Sequence, residues 1–275
     1  LLILVSAVVF SLAGVFAKSI AAGSWEIVFW RGIFSTCFML AYIAWRKSIR
    51  TEIWEMGISG IAIGIIGAAA SACFIAAFKF TTIANVILIY ASAPIIAALL
   101  AWIFAGEKPT LKIALGCLGV FAGVGIIVKD TVGSANLTGV LLALAMTFGM
   151  ASIMTLYRRW PQTPAAGPAA LSSILLIPAG ALIGDVVNVS RPDLFLLIGF
   201  GLTFAIAAIC ISEGARRVPA GQTALLSALE TPLAPLFGFL FFAEIPPLAT
   251  WIGGILILGA VVLSQLPDAK TRTVT

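Results

Sequence analysis

The residues of this chain predict an all-α integral membrane protein, with ten transmembrane helices forming two five-helix repeats of inverted topology, 1–130 and 131–275. Composition is the first reason: 61% of the 275 residues are hydrophobic, 10% are charged, and the mean hydropathy of +1.16 exceeds what a water-facing surface carries. Segment length is the second. The oily runs are long and do not alternate, so they suit helices that satisfy their own backbone across a hydrocarbon core about 30 Å thick, and not a barrel. The third is a pattern that returns half a chain later: ASAPIIAALLAWIFAGEKP at 91–109 and LETPLAPLFGFLFFAEIPP at 229–247.

Breaks at clusters of charge, Gly and Pro place the spans at 1–21, 25–45, 55–78, 82–105, 110–128, 137–157, 165–184, 193–212, 220–243 and 247–266. The connections are short, so nothing is left for a soluble domain. Trp25, Trp45, Trp54 and Trp160 fall at span ends, where indoles form an interfacial belt. Cys37, Cys73, Cys117 and Cys210 fall inside apolar runs and read as small core residues, without metal or disulfide spacing.

Counting Lys and Arg in alternate loops sets the orientation. A cytoplasmic N-terminus puts Arg46, Lys47, Arg50, Lys108, Lys112, Arg158, Arg159, Arg216, Arg217, Lys270 and Arg272 inside, against Lys18, Lys79, Lys129 and Arg191 outside. The net charge of +5 is scattered along these span ends, which makes no basic stripe for nucleic acid.

A shift of 137 lays Glu107 on Glu244, Pro109 on Pro246 and Gly116 on Gly253, with Pro94 one residue short of Pro232; a shift of 138 lays Phe10 on Phe148. An odd number of helices per unit turns the second copy upside down. Inverted repeats around a midplane site are a device of carriers, because two equivalent halves exchange inward- and outward-facing shapes.

These residues resemble the drug/metabolite transporter superfamily, specifically its EamA-type ten-helix permeases. The likeness spans essentially the whole chain and rests on the twice-repeated proline followed about a dozen residues later by a Gly-Glu or Ala-Glu pair. The resemblance implies a carrier of a bacterial cytoplasmic membrane with both termini inside, exporting amino acids or other small metabolites, as the YddG-like amino-acid exporters do. One departure stands out: family members commonly place the ninth-helix glutamate directly before the proline, whereas Thr231 separates Glu230 from Pro232 here. That insertion turns the carboxylate by about 100° on a helix.

Candidate substrate-binding residues are Tyr90, Asn85, Trp30, Arg31, Ser71, Phe74, Phe78, Glu230 and Ser227, with Pro94 and Pro232 as hinges. Pro94 lacks an N–H and displaces the carbonyl one turn earlier, so the fourth span should kink near Tyr90. Asn85 and Ser92 share a face, and Tyr90 beside the kink offers a hydroxyl and a ring. Glu230 is the carboxylate nearest the centre of a span and must be protonated, paired or wet. Arg31 is its candidate counter-ion, or else the group that meets a substrate carboxylate. Ser71, Phe74 and Phe78 form one stripe that is either core or the wall of an apolar pocket. Glu107 and Glu244 read as caps for the helix that follows each of them. Gly119 and Gly123 permit close helix contact, within one chain or across a dimer.

An intramembrane enzyme is disfavoured: histidine is absent, and Asp130, Asp185, Asp193 and Asp268 all fall in loops. No metal, cofactor or nucleic-acid partner is expected, and no phosphate-binding G-x-x-x-x-G-K-[ST] loop is present for direct nucleotide drive. The expected partners are a small-molecule substrate and lipid, in a monomer or homodimer.

Overall fold

A computed structural model of the chain describes residues 1–105, 111–131, 136–186, 189–215 and 230–265. Among these the secondary structure is helical throughout. The helices are α1 (Leu2–Ser11), α2 (Ala13–Ser19), α3 (Ser24–Trp45), α4 (Gly57–Phe80), α5 (Ile83–Tyr90), α6 (Ala93–Ala105), α7 (Leu111–Thr131), α8 (Asn136–Arg159), α9 (Ala166–Ile183), α10 (Arg191–Ala215), α11 (Glu230–Phe242) and α12 (Leu248–Gln265), with one π-helical turn at Arg50–Trp54. Among the described residues six helical segments are long and apolar enough to cross a membrane, and a seventh forms if α5 and α6 are taken as one bent span. The stretches 114–127, 230–242 and 248–260 are shorter apolar helices.

Two expected spans are broken. The first divides at Leu12 into α1 and α2. The fourth divides after Tyr90, where Ala91 and Ser92 turn before α6 resumes and the two arms differ in direction by 41°. That break lies where Pro94 has no N–H to return to the Tyr90 carbonyl. The Ser92 hydroxyl bonds Ile89 O at 2.6 Å and occupies a carbonyl next to the break.

Packing runs across the two halves of the sequence. Helix α3 lies on α9 and α10, α4 on α8 and α9, α1 on α10, and α7 on α12, while α5 touches α8, α11 and α12. In lipid, apolar burial gives little net drive, so close contact of small residues must hold such pairs. A Cβ on Gly123 would stand 2.6 Å from Gly253 O, and one on Gly253 would stand 2.5 Å from Gly123 O. Gly119 and Gly123 of α7 are thus used within the chain, against α12. The core between helices includes Ile27, Ile75, Phe78, Ile83, Ile87 and Phe200, each essentially inaccessible. Cys37 departs from the core reading: it is exposed on α3, while Cys117 is buried.

Both ends of the bundle carry polar seals. At one end Lys18 pairs with Glu244, Lys79 donates to Ile20 O, Ala21 N donates to Asp193 at 3.0 Å, and Asp185 N donates to Glu26 at 2.8 Å. At the other, Glu52 in the π-helical turn accepts from Ala166 N and Gly167 N at 3.0 and 2.9 Å, Arg46 pairs with Glu213 at 3.5 Å, and Ser59 meets Thr163 at 2.8 Å. Trp45 and Trp54 stand exposed at this second end, as belt residues should.

Candidate functional site

Arg31 sits seven residues into α3, about 10 Å along the axis from its start, and only 2% of it is accessible. Three side chains from two other helices surround its head. Its Nη2 donates to the Ser71 hydroxyl on α4, and its guanidinium carbon lies 4.6 Å from the centroid of Phe204 and 5.4 Å from that of Phe200, both on α10. The rings are themselves held: Phe16 stacks on Phe200 at 5.7 Å, and Phe10 meets Phe204 edge-on at 6.4 Å. The Arg31 Nε has no hydrogen-bond partner among the described residues, and no carboxylate there lies within ion-pair distance of the head. Arginine stays charged, and ring faces soften that charge without neutralising it.

Of the two roles left open for Arg31, the bridge to Glu230 is not formed; a hydroxyl and two rings stand at its head instead. Glu230 stands at the start of the described part of α11, partly buried, and its electrostatic neighbour is Tyr90 at the end of α5. The structure thus gathers Arg31 with Ser71 in one place and Tyr90 with Glu230 in another.

The other expected residues are placed as follows. Trp30 donates its indole N–H to Val186 O at 3.1 Å and stacks on Phe34 at 5.9 Å, which ties α3 to the segment before α10. Phe74 and Phe78 form an edge-to-face pair at 4.6 Å, with Phe78 1% accessible and packed over Gly14. Asn85 is occupied: its amide donates to Thr81 at 3.0 Å and accepts from Thr250 at 2.6 Å, joining α5 to α12. Pro94 lies in the first turn of α6, and Pro232 in the first described turn of α11. Ser227 and Glu107 lie outside the described residues.

Glu244 corrects a sequence reading. It was expected to cap the helix after it, α12, but its Oε2 accepts the Ile83 N–H at the start of α5 at 3.0 Å, while Oε1 pairs with Lys18. Local backbone explains the aim. Ala243 takes a left-handed φ of 52°, so the chain folds back and Glu244 N reaches Gly238 O at 3.4 Å. Sequence reasoning also missed Phe200 and Phe204. Their spacing of four on α10 was a readable signal, because it puts both rings on one face, but nothing local says that the face meets Arg31.

The profile of the EamA-like transporter family matches residues 1–129 and 137–266. The chain is 26% identical to solute carrier family 35 member G1 of Mus musculus, over 96% of this chain and 78% of that protein. It is 25% identical to a riboflavin transporter of Brucella anthropi, over 89% of each. A solved crystal structure superposes over 96% of this chain and 95% of its own, with a TM-score of 0.66 at 18% identity, a likeness of fold. With the family profile covering nearly all of its length, this multi-pass helical membrane protein belongs to the EamA-like transporter family.

Proposed function

We propose that this chain is a secondary transporter that exports amino acids, aromatic and other small neutral ones foremost, or related metabolites across the cytoplasmic membrane of a bacterium. It works by alternating access, with ten spans in two inverted repeats, 1–130 and 131–275, and with both termini in the cytoplasm. The observation that carries this reading is an exchange relation in the packing: α4 lies on α8 and α9, and α10 lies on α1 and α3. A two-fold axis in the membrane plane that swaps third span with eighth, sixth with first and seventh with second turns one set of contacts into the other. The α3–α9 and α7–α12 pairs map onto themselves under the same operation. Support also comes from the family match, which falls in two stretches of similar length.

In this reading Arg31 and Ser71 receive a substrate carboxylate, while Glu230 and Tyr90 receive its ammonium. Trp30, Phe74 and Phe78 supply apolar wall, and Asn85 and Ser227 are flanking polar positions. Pro94 and Pro232 are the points at which the spans bend. Counterflow in proteoliposomes tests the proposal: a carrier exchanges labelled for unlabelled amino acid at equal concentrations, whereas a channel only dissipates gradients. Absence of exchange across a panel of amino acids and metabolites rejects it.

A second reading is efflux of organic cations, favoured by Glu230, which lies beside Tyr90 and makes no ion pair with another described residue. Loss of transport on neutralising Glu230 but not Arg31 supports that alternative, and loss from both supports a zwitterion.

A further inference from the structure

Resting on the carrier reading, we propose that Arg31 is the charge-recognition group of the substrate site, that Phe200 and Phe204 hold it dry, and that the transported class is therefore organic molecules with a free carboxylate. Neutral solutes and organic cations are excluded by the same group.

The buried charge of Arg31 meets no carboxylate among the described residues. A guanidinium buried to this degree costs several kcal/mol unless it is paired and hydrogen-bonded, yet its described polar contact is one hydroxyl, and Nε meets no acceptor among the described residues. Seven acids among the described residues are engaged elsewhere: Glu26, Glu52 and Asp193 accept backbone N–H groups, Glu55, Glu213 and Glu244 pair with basic residues, and Glu230 lies beside Tyr90. The stretch 216–229 contains no acid at all. An anion from outside the chain fits the position that no described acid fills. A planar guanidinium presents parallel N–H groups at the spacing of the two oxygens of a carboxylate. Phe200 and Phe204 cover it with ring face, which fixes its plane and keeps water from substituting for the ligand. Repeat symmetry agrees with a ligand role over a packing role, because at the same offsets the second half carries Pro168 and Ala169, so the fold does not require a charge there.

The test uses purified protein in detergent, followed by thermal unfolding, and the same protein in proteoliposomes, followed by counterflow. The probes are phenylalanine and phenylacetate, which carry the carboxylate, and phenethylamine and riboflavin, which do not. The first two are expected to stabilise and to exchange, the last two to do neither. Arg31→Gln should weaken the phenylacetate response about tenfold or more, the range for a hydrogen bond to a charged group, and Arg31→Lys should weaken it less. Unliganded Arg31→Gln should unfold no earlier than the wild type, because it loses an unneutralised buried charge; a large fall would mark a structural bridge and overturn the inference. Phe204→Leu, which keeps the charge, should weaken the phenylacetate response in the same direction. Stabilisation by phenylacetate without counterflow upholds the carboxylate site and rejects the carrier. Counterflow of phenethylamine or riboflavin upholds the carrier and rejects the carboxylate requirement. No response to either carboxylate, or an unchanged response in Arg31→Gln, also overturns the inference.

Discussion

Lys18 and Glu244 form an ion pair that ties the end of α2 to the turn between α11 and α12, and the same carboxylate holds the first N–H of α5 at 3.0 Å. Three spans that are distant in sequence are thus closed over one end of the bundle. The side chains are 20% and 16% accessible, so the ion pair itself is worth about 1 kcal/mol after solvent screening. Glu244→Gln keeps an oxygen for Ile83 N and is expected to lower stability by about that amount. Glu244→Ala also abandons the N–H and should cost about 2–3 kcal/mol. Thermal unfolding in detergent measures both, and a cysteine placed by Ile83→Cys should react faster with a polar maleimide in either background.

At the opposite end Gly167 is expected to be irreplaceable. A Cβ there would lie 1.7 Å from Glu52 O, in a turn whose carboxylate caps α9 through two N–H groups. Gly167→Ala must push the π-helical turn away and should destabilise by about 3 kcal/mol, the upper range for overpacking. Glu52→Ala, which only removes the cap, should cost about 1–2 kcal/mol. A milder effect from Gly167→Ala than from Glu52→Ala would contradict this geometry.

Ala243→Gly should stabilise the protein. Ala243 holds a φ of 52°, where a Cβ costs roughly 1 kcal/mol. The gain expected is up to about 1 kcal/mol, read as a rise in unfolding temperature.

Gly123→Ala places its new methyl 2.6 Å from Gly253 O and should separate α7 from α12, at a cost of about 1–3 kcal/mol. Gly125→Ala, with open space where its Cβ would go, is the control and should change stability little.

Asn85→Leu removes two side-chain hydrogen bonds between Thr81, α5 and α12 and is expected to cost about 1–2 kcal/mol. Comparing unfolding temperature with apparent substrate affinity separates this joint from a binding role: a drop in affinity at unchanged stability would assign Asn85 to the ligand.

Helical class and the break near Tyr90 were legible because each follows from local chemistry: apolar run length and a proline without an N–H. The depth of Arg31 was legible for the same reason, since seven residues along a helix is a fixed rise. Its surroundings were not. Ser71, Phe200 and Phe204 reach it from two other helices, and helix pairing in lipid depends on shape over distances that no hydrophobic pattern records. Glu244 shows the same limit: a capping glutamate is recognisable in sequence, but the helix it caps begins 161 residues earlier.

The break in the fourth span has a mechanical consequence. Helix α5 is anchored at its start by Glu244 and along its length by Asn85 and Thr250, whereas the described side-chain hydrogen bond to α6 from a neighbour is Thr155 to Ala97 O, at 3.3 Å. Under the proposed alternating access, bending at Ala91 and Ser92 would leave α5 as the fulcrum and make α6, 13 residues long, the lever. An arm of about 20 Å that pivoted by roughly 15° would sweep its far tip through about 5 Å, the width of a small molecule.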